Sequence, residues 1–251
     1  MEMGLNGRTV IITGASRNIG RRGAELFAEE GCNLAICTST KMDQLAETAA
    51  ECEKRGASVM TMQVDVSNEG QVNEFITKTA EKFGRIDVLV NNAVFRSEGD
   101  LLTMDVENWK RNIEVNIDGP FYMCRAAVPY MIERKWGRII NFSSAVVPMG
   151  RPNYLHYVSS KAGVQGLSRA MAREVGDFNI TVNAILPGAT VTEVARETVS
   201  PEQMKAMIQS RCIKRPQEVS DLTGVVGFLC SKEADFITGQ SFVVDGGLTV
   251  T

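Results

Sequence analysis

Short apolar runs alternate with helix-length segments along the whole of this 251-residue chain. The strand candidates are TVIIT (Thr9–Thr13), NLAICT (Asn33–Thr38), SVMTMQVD (Ser58–Asp65), IDVLV (Ile86–Val90), RIINF (Arg138–Phe142), ITVNAIL (Ile180–Leu186) and SFVVD (Ser241–Asp245). Most are rich in β-branched residues and poor in charge, the pattern of strands covered on both faces. Between them lie helix-like segments near Ile19–Glu30, Met42–Arg55, Glu69–Phe83, Asp105–Arg134, Tyr154–Phe178 and Pro216–Leu229. Strands joined through helices run parallel, with right-handed crossovers. The expected fold class is therefore α/β, a doubly wound (Rossmann) parallel sheet of about seven strands with helices on both faces.

No linker rich in Pro, Gly and Ser, no low-complexity run and no repeat interrupts this pattern. Residues 1–251 are accordingly expected to form a single nucleotide-binding domain. The stretch Ala189–Pro216 has no strand of its own. An excursion of that length between a strand and the next helix suits a substrate loop or lid.

Composition removes several function classes. The formal net charge is -3 and no block of like charge stands out. Nucleic acid and anionic membrane are therefore not expected as partners. The opening MEMGLNGRTV lacks the basic flank and apolar core of a signal peptide, and no apolar run is long enough to span a bilayer. A cytoplasmic location is expected. Cys32, Cys37, Cys52, Cys124, Cys212 and Cys230 show no CxxC spacing, which suits reduced, mostly buried thiols and no zinc site. With His156 as the only histidine, neither a His-based metal site nor a Ser–His–Asp triad is expected.

The turn after the first strand reads TGASRNIGRR. Gly14 permits a tight turn, and Gly20 permits close packing of helix on sheet. Backbone N–H groups from Ser16 to Ile19 and the helix N-terminus would then face a pyrophosphate. Asn18 stands where a glycine is expected; asparagine is among the least penalised residues at positive φ, so the turn survives. An NAD site usually carries Asp or Glu at the end of the second strand. Here that strand ends in Thr38, Ser39, Thr40 and Lys41, with no carboxylate before Asp43. Hydroxyls of Ser39 and Thr40 with the Arg17 guanidinium would suit a ribose 2′-phosphate. NADP(H) is favoured, with NAD(H) the alternative; solvated Arg17 and Lys41 are the bland reading.

The strongest chemistry lies in NFSSAVVPMGRPNYLHYVSSKAG. Tyr157 and Lys161 are four residues apart and share a helix face. A free phenol titrates near pH 10, so acting near neutrality requires lowering it by roughly three units, about 4 kcal/mol. A nearby ammonium in a partly desolvated site, helped by an oxidised nicotinamide, is able to supply that. Ser144, after the fifth strand candidate, would donate a hydrogen bond to a carbonyl oxygen. Alone, YxxxK occurs by chance on many solvated helices.

Taken in order, TGASRNIG, Asp65-Val66, the NNA of Asn91–Ala93, Asn116, Ser144, Tyr157 and Lys161, Pro187-Gly188 and FITGQSFVVDGG match a known pattern. The chain resembles the short-chain dehydrogenase/reductase family over essentially its full length, most of all its 3-oxoacyl-[acyl-carrier-protein] reductase branch. The resemblance implies that Tyr157 is the general acid in reduction and the base in oxidation, and that Lys161 lowers its pKa and holds the nicotinamide ribose. It further implies that Ser144, rather than Ser143, polarises the carbonyl and that Asn116 anchors a water in the proton relay. Asp65 and Val66 would border the adenine, Asn91 would support the sheet and the adenosine ribose, and Asn92 and Ala93 would line the cofactor site. Pro187, Gly188, Thr190 and Thr192 would pack by the nicotinamide.

Val94 replaces the glycine that usually follows NNA, so its backbone should avoid glycine-only angles. Asp177 and Phe178 stand where the branch places a basic residue for its carrier protein. A free small-molecule carbonyl or alcohol thus becomes the expected substrate. Phe95, Met149, Asn153 and Val194 are candidate pocket walls, with Arg96 and Pro148 nearby. Met204 and Met207 would form a lid or simply pack. Arg96 is expected to be solvated, His156 structural or exposed, and Trp109 and Trp136 packing residues. Assembly as a homotetramer, or a dimer, is implied by the resemblance. The rival functions are an NAD-dependent alcohol dehydrogenase and, more remotely, a non-catalytic nucleotide sensor or scaffold.

Overall fold

The computed structural model describes residues 3–192 and 200–249. Its strands are β1 (Thr9–Thr13), β2 (Asn33–Thr38), β3 (Val59–Gln63), β4 (Val88–Asn91), β5 (Gly137–Phe142), β6 (Ile180–Pro187) and β7 (Ser241–Val244). They form a seven-stranded sheet in the order β3-β2-β1-β4-β5-β6-β7, and every neighbouring pair is parallel. The order reverses between β1 and β4, which opens a crevice at the carboxyl ends of those two strands.

The helices are α1 (Asn18–Glu29), α2 (Met42–Lys54), α3 (Glu69–Phe83), α4 (Val106–Ile113), α5 (Gly119–Arg134), α6 (Val146–Met149), α7 (Leu155–Val175), α8 (Pro201–Ser210) and α9 (Ser220–Cys230). Alternate residues of β1 serve opposite cores, because successive strand side chains point to opposite faces. Val10 and Ile12 pack with Phe27 of α1 and with Leu222 and Val226 of α9. Ile11 packs with Val72 and Phe75 of α3 and with Met123 and Ala127 of α5. Burial on both faces is why β1 needs five consecutive apolar or β-branched residues.

Two expected segments differ in detail. Asp105–Arg134 is not one α-helix: a π-helical turn, Glu114–Asp118, separates α4 from α5 and carries Asn116. Part of the expected irregular lid is α8, started by a capping box in which Ser200 Oγ accepts from Gln203 N while the Gln203 side chain accepts from Ser200 N. Val194 lies outside the described residues. No helix among the described residues is long and apolar enough to cross a membrane.

The amino end of the sheet is clasped by Asp87, just before β4. Its carboxylate is fully buried and accepts from Arg8 Nη1 (3.0 Å), Thr9 N (2.8 Å), and Arg85 Nε and Nη2 (both 2.6 Å). Two guanidiniums lie against the Trp136 ring, with Arg8 and Arg138 at 3.9 and 4.3 Å from its centroid. Burial alone would raise the Asp87 carboxyl, but the bonds from Arg85, Thr9 and Arg8 outweigh it and hold it below the usual carboxylate range. A carboxylate depressed on folding stabilises the fold above its unfolded pKa of about 4, and that stability is lost as pH falls through the folded value. Asp87→Asn should cost about 3 kcal/mol at pH 7 in urea unfolding. The loss should shrink as the pH of the titration is lowered below 4.

Candidate active site

The turn between β1 and α1 has the backbone its sequence implies. Gly14 has φ 65° and Asn18 has φ 51°, so the asparagine occupies the left-handed region that a glycine would otherwise fill. A Cβ on Gly20 would lie 2.3 Å from Gly14 O and 2.7 Å from Asn92 Nδ2, which leaves no room for any side chain. That same Nδ2 donates to Thr13 O and Gly14 O, both at 3.0 Å. Thr13 Oγ1 accepts in turn from Asn92 N and Ala93 N. The ends of β1 and β4 are thereby locked together. The first turn of α1 has no side-chain cap and no acidic residue, so its N–H groups and dipole favour an anion.

A cavity of about 410 Å³ opens beside this turn. Its wall includes Gly14, Ser16, Arg17, Asn18, Ile19, Thr38, Ser39, Thr40, Lys41, Asp65, Val66, Asn92 and Ala93. Asp43 is not among its lining residues. The wall's acid among the described residues, Asp65, is engaged: Arg111 Nη2 donates to it at 2.7 Å, and Ser67 Oγ at 2.7 Å. Burial raises the Asp65 carboxyl, but bonds from Ser67 and Arg111 prevail and hold it below the usual range. Arg111 also lines this cavity. Nothing local in the sequence marks it, because its partner lies 46 residues away. The set of glycine-tight turn, open helix N-terminus, basic residues and hydroxyls fits a nicotinamide dinucleotide.

Asn91 supports the sheet as expected but stands off the cavity wall, while Phe95 is placed differently from expectation. Asn91 Nδ2 donates to Asn141 Oδ1 at 2.8 Å inside the sheet, and Asn91 does not line the cavity. It braces β4 against β5 and leaves the cavity wall to Asn92. Phe95 lines the nucleotide-side cavity instead of the substrate side, since Asn116 Oδ1 accepts from its N–H (3.0 Å) and Asn116 Nδ2 donates to its carbonyl (2.8 Å).

A second cavity of about 310 Å³ adjoins the first, sharing Asn18, Ile19, Asn92, Val94 and Thr192 as lining residues. Ser144, Tyr157, Lys161, Met149, Pro187, Gly188, Thr190 and Met207 lie on its wall. The two serines after β5 divide the work. Ser143 Oγ donates to Lys161 O at 2.7 Å and accepts from Gln165 Nε2, which ties α7 to the strand end. Ser144 Oγ accepts only from Val146 N, at 3.3 Å, among described residues, and so keeps its proton available. Val94 keeps an ordinary negative φ, as expected.

Lys161 is 3% exposed and donates through Nζ to Phe142 O at 2.8 Å. Burial pushes its ammonium down to about 7. Its Nζ lies 5.8 Å from the centroid of the Tyr157 ring. Tyr154 packs edge-on against Tyr157, with centroids 6.2 Å apart.

Asn116 is fully buried, and its carboxamide is engaged by Phe95, by Asn112 Oδ1 (3.2 Å) and by Ser160 Oγ (3.1 Å). That amide holds the loop after β4 in place. Asn153 does not line the cavity. It is an exposed turn residue at φ 63° whose carbonyl accepts from Gly99 N. His156 is buried, with Nε2 2.6 Å from Ser97 Oγ, and burial lowers its imidazole. It is a structural histidine.

A family model described as Enoyl-(Acyl carrier protein) reductase matches residues 14–249. The 3-oxoacyl-[acyl-carrier-protein] reductase FabG of Staphylococcus epidermidis is 36% identical over 241 residues, 96% of this chain and 98% of that protein. Its namesake from Thermotoga maritima is 36% identical over 252 residues, 99% of this chain and 100% of that one. A solved structure from Sinorhizobium meliloti, assigned to the short-chain alcohol dehydrogenases, superposes with TM-score 0.93 at 35% identity and covers 97% of both chains. An NAD+-bound xylitol dehydrogenase superposes with TM-score 0.90 at 28% identity, over 97% of this chain and 99% of that one.

The turn geometry separates three substitutions. Asn18→Gly should leave stability within about 1 kcal/mol and keep nucleotide binding, while Asn18→Val should cost roughly 1–2 kcal/mol. Gly20→Ala should abolish the thermal shift produced by added NADPH. Melting curves with and without NADPH read all three.

Proposed function

Because the chain belongs to the short-chain dehydrogenase/reductase family, we propose that it is an NADP(H)-dependent reductase of a small ketone or aldehyde. It would act as a single nucleotide-binding domain, with Tyr157 the reversible proton donor. The observation that carries this reading is the meeting of Ser144, Tyr157 and Lys161 on one cavity wall, next to the basic cavity at the β1 turn. When bound, the reduced nicotinamide supplies the hydride. Arg17, Ser39 and Thr40 would hold the 2′-phosphate, the α1 N-terminus the pyrophosphate, Asp65 and Val66 the adenine end, and Pro187 to Thr192 the nicotinamide end.

The chain's own residues handle the proton and the developing charge. Ser144 Oγ donates to the substrate carbonyl oxygen, and the Tyr157 hydroxyl protonates that oxygen as it becomes an alkoxide. The Lys161 Nζ lies 5.8 Å from the Tyr157 ring centroid. At a separation on the order of 6 Å and an effective dielectric of about 20, an ammonium favours a phenolate by about 3 kcal/mol. That is most of what a phenol needs to exchange protons near neutrality. Burial works against this by discharging Lys161 near pH 7, so any group that accepts from Nζ, the Phe142 carbonyl first, helps keep the charge in place.

Support for NADP(H) over NAD(H) comes from Arg17, Ser39, Thr40 and Lys41 and from the absence of a free carboxylate at the end of β2. Asp177, exposed in the turn before β6, supports a free small molecule over an acidic carrier protein. A second reading, alcohol oxidation with NAD, is favoured by the likeness to the NAD+-bound xylitol dehydrogenase. Trp109, expected to pack, is instead exposed on α4, and with exposed Val106 and Phe121 it supports self-association as a tetramer or dimer.

A panel of ketones, aldehydes and alcohols with both cofactors tests the proposal. NADPH should be preferred over NADH by about tenfold or more. Tyr157→Phe should lower kcat roughly 10²- to 10⁴-fold with little change in NADPH affinity. Full activity in that variant would sink the assignment, and a tenfold preference for NADH would select the second reading.

A further inference from the structure

Among the described residues the charged lining of the candidate substrate cavity is positive, although the chain as a whole carries a net charge of -3. Its charged lining residues are Arg96, Arg151 and Lys161, and no Asp or Glu of the described residues lines it. Lys161 is engaged within the wall by the Phe142 carbonyl. The two arginines are not: neither makes an ion pair with a described residue.

Both arginines stand on anchored backbone. Arg96 follows Phe95, whose N–H and carbonyl are both held by the Asn116 amide. Three residues on, Gly99 N donates to Asn153 O at 3.0 Å and Gly99 forms a bridge with Tyr154. The Tyr154 hydroxyl donates to Glu98. Glu98 thus orients Tyr154 and lies off the cavity wall. The segment after β4 is thereby pinned to the segment before α7, which brings Arg96 and Arg151 to the same cavity. Arg151 lies over the Tyr154 ring with Cζ 4.5 Å from the centroid, a contact that restrains the guanidinium and leaves its N–H edge available.

Arg96 is exposed and Arg151 half-buried, so water solvates both guanidiniums when the cavity is empty. A substrate that covers them gains most if it carries a matching charge. A carboxylate or phosphate would match the fork of N–H donors that each presents. Val146, Met149 and Leu248 supply apolar wall for a short carbon chain. We propose that the substrate carries an oxyanion, separated by a short chain from the carbonyl that is reduced, and that Arg96 and Arg151 hold it. This inference rests on the reductase reading only in taking this cavity as the one that admits substrate.

Calorimetry on the full chain saturated with NADP+, where a ketone binds without turnover, tests it. The probes are 4-oxopentanoate, its methyl ester, and dihydroxyacetone phosphate. At least one oxyanion should bind about tenfold or more tightly than the ester, and whichever binds better tells carboxylate from phosphate. Arg96→Met and Arg151→Met should each weaken oxyanion binding about tenfold, leaving ester and NADP+ affinities and the melting temperature unchanged. Should either variant melt early, the corresponding Lys variant replaces it and should retain part of the preference for the oxyanion. Equal affinity for ester and oxyanions, absence of oxyanion binding, or parallel loss of ester and oxyanion binding in the variants would overturn the inference. Turnover is read separately with NADPH: tight, arginine-dependent oxyanion binding without any reduction would reject the reductase reading and leave the oxyanion site standing.

Discussion

The buried ammonium of Lys161, with its bond to the Phe142 carbonyl at 2.8 Å, is the interaction on which the catalytic half of the molecule depends. A charge at 3% exposure persists only where the surroundings repay its desolvation. The strand end repays it through a carbonyl, while Ser143 and Gln165 fix the helix turn that carries it. The same desolvation that brings Lys161 down to about 7 makes its field strong at Tyr157, because little water intervenes. Strength of field and ease of discharge therefore share one origin. Under the proposed mechanism, both would bear on the pH at which Tyr157 exchanges its proton.

The nucleotide half rests on a steric constraint. Parallel strands whose order reverses between β1 and β4 leave a crevice, and the chain must close its floor without filling it. Asn92 closes it by donating to both carbonyls of the β1 turn, and Gly20 makes that approach possible by having no side chain. The two halves meet through shared walls at Asn18, Ile19, Asn92, Val94 and Thr192. A ligand spanning both cavities would thus present one end to the basic residues after β2 and the other to Ser144 and Tyr157.

Features governed by local chemistry were legible in the sequence. Strand alternation, the left-handed Asn18 and the Tyr157–Lys161 face follow from periodicity and backbone preference, and the structure has all three. Features governed by distant partners were not. Arg111 reaches Asp65, and Phe95 turns to the nucleotide side because Asn116 holds its backbone. Asn153 looked like pocket wall from its position after a strand, yet its left-handed turn carries it to the surface. The Arg96–Arg151 pairing in one cavity depends on the Gly99–Asn153 tie and has no sequence-local signal. The stretch after β6 was the least legible: α8 is set by the Ser200 capping box, a signal hidden in a run without regular apolar spacing.

The central claim is that Lys161 brings the Tyr157 phenol into the neutral range. With 4 tyrosines in the chain, an ultraviolet titration of phenolate in the NADP+-loaded protein resolves a single early ionisation. The account predicts one tyrosine ionising well below the ordinary value near 10, absent in Tyr157→Phe and moved upward in Lys161→Met. Ionisation of every tyrosine near 10 in the loaded wild-type protein would contradict it.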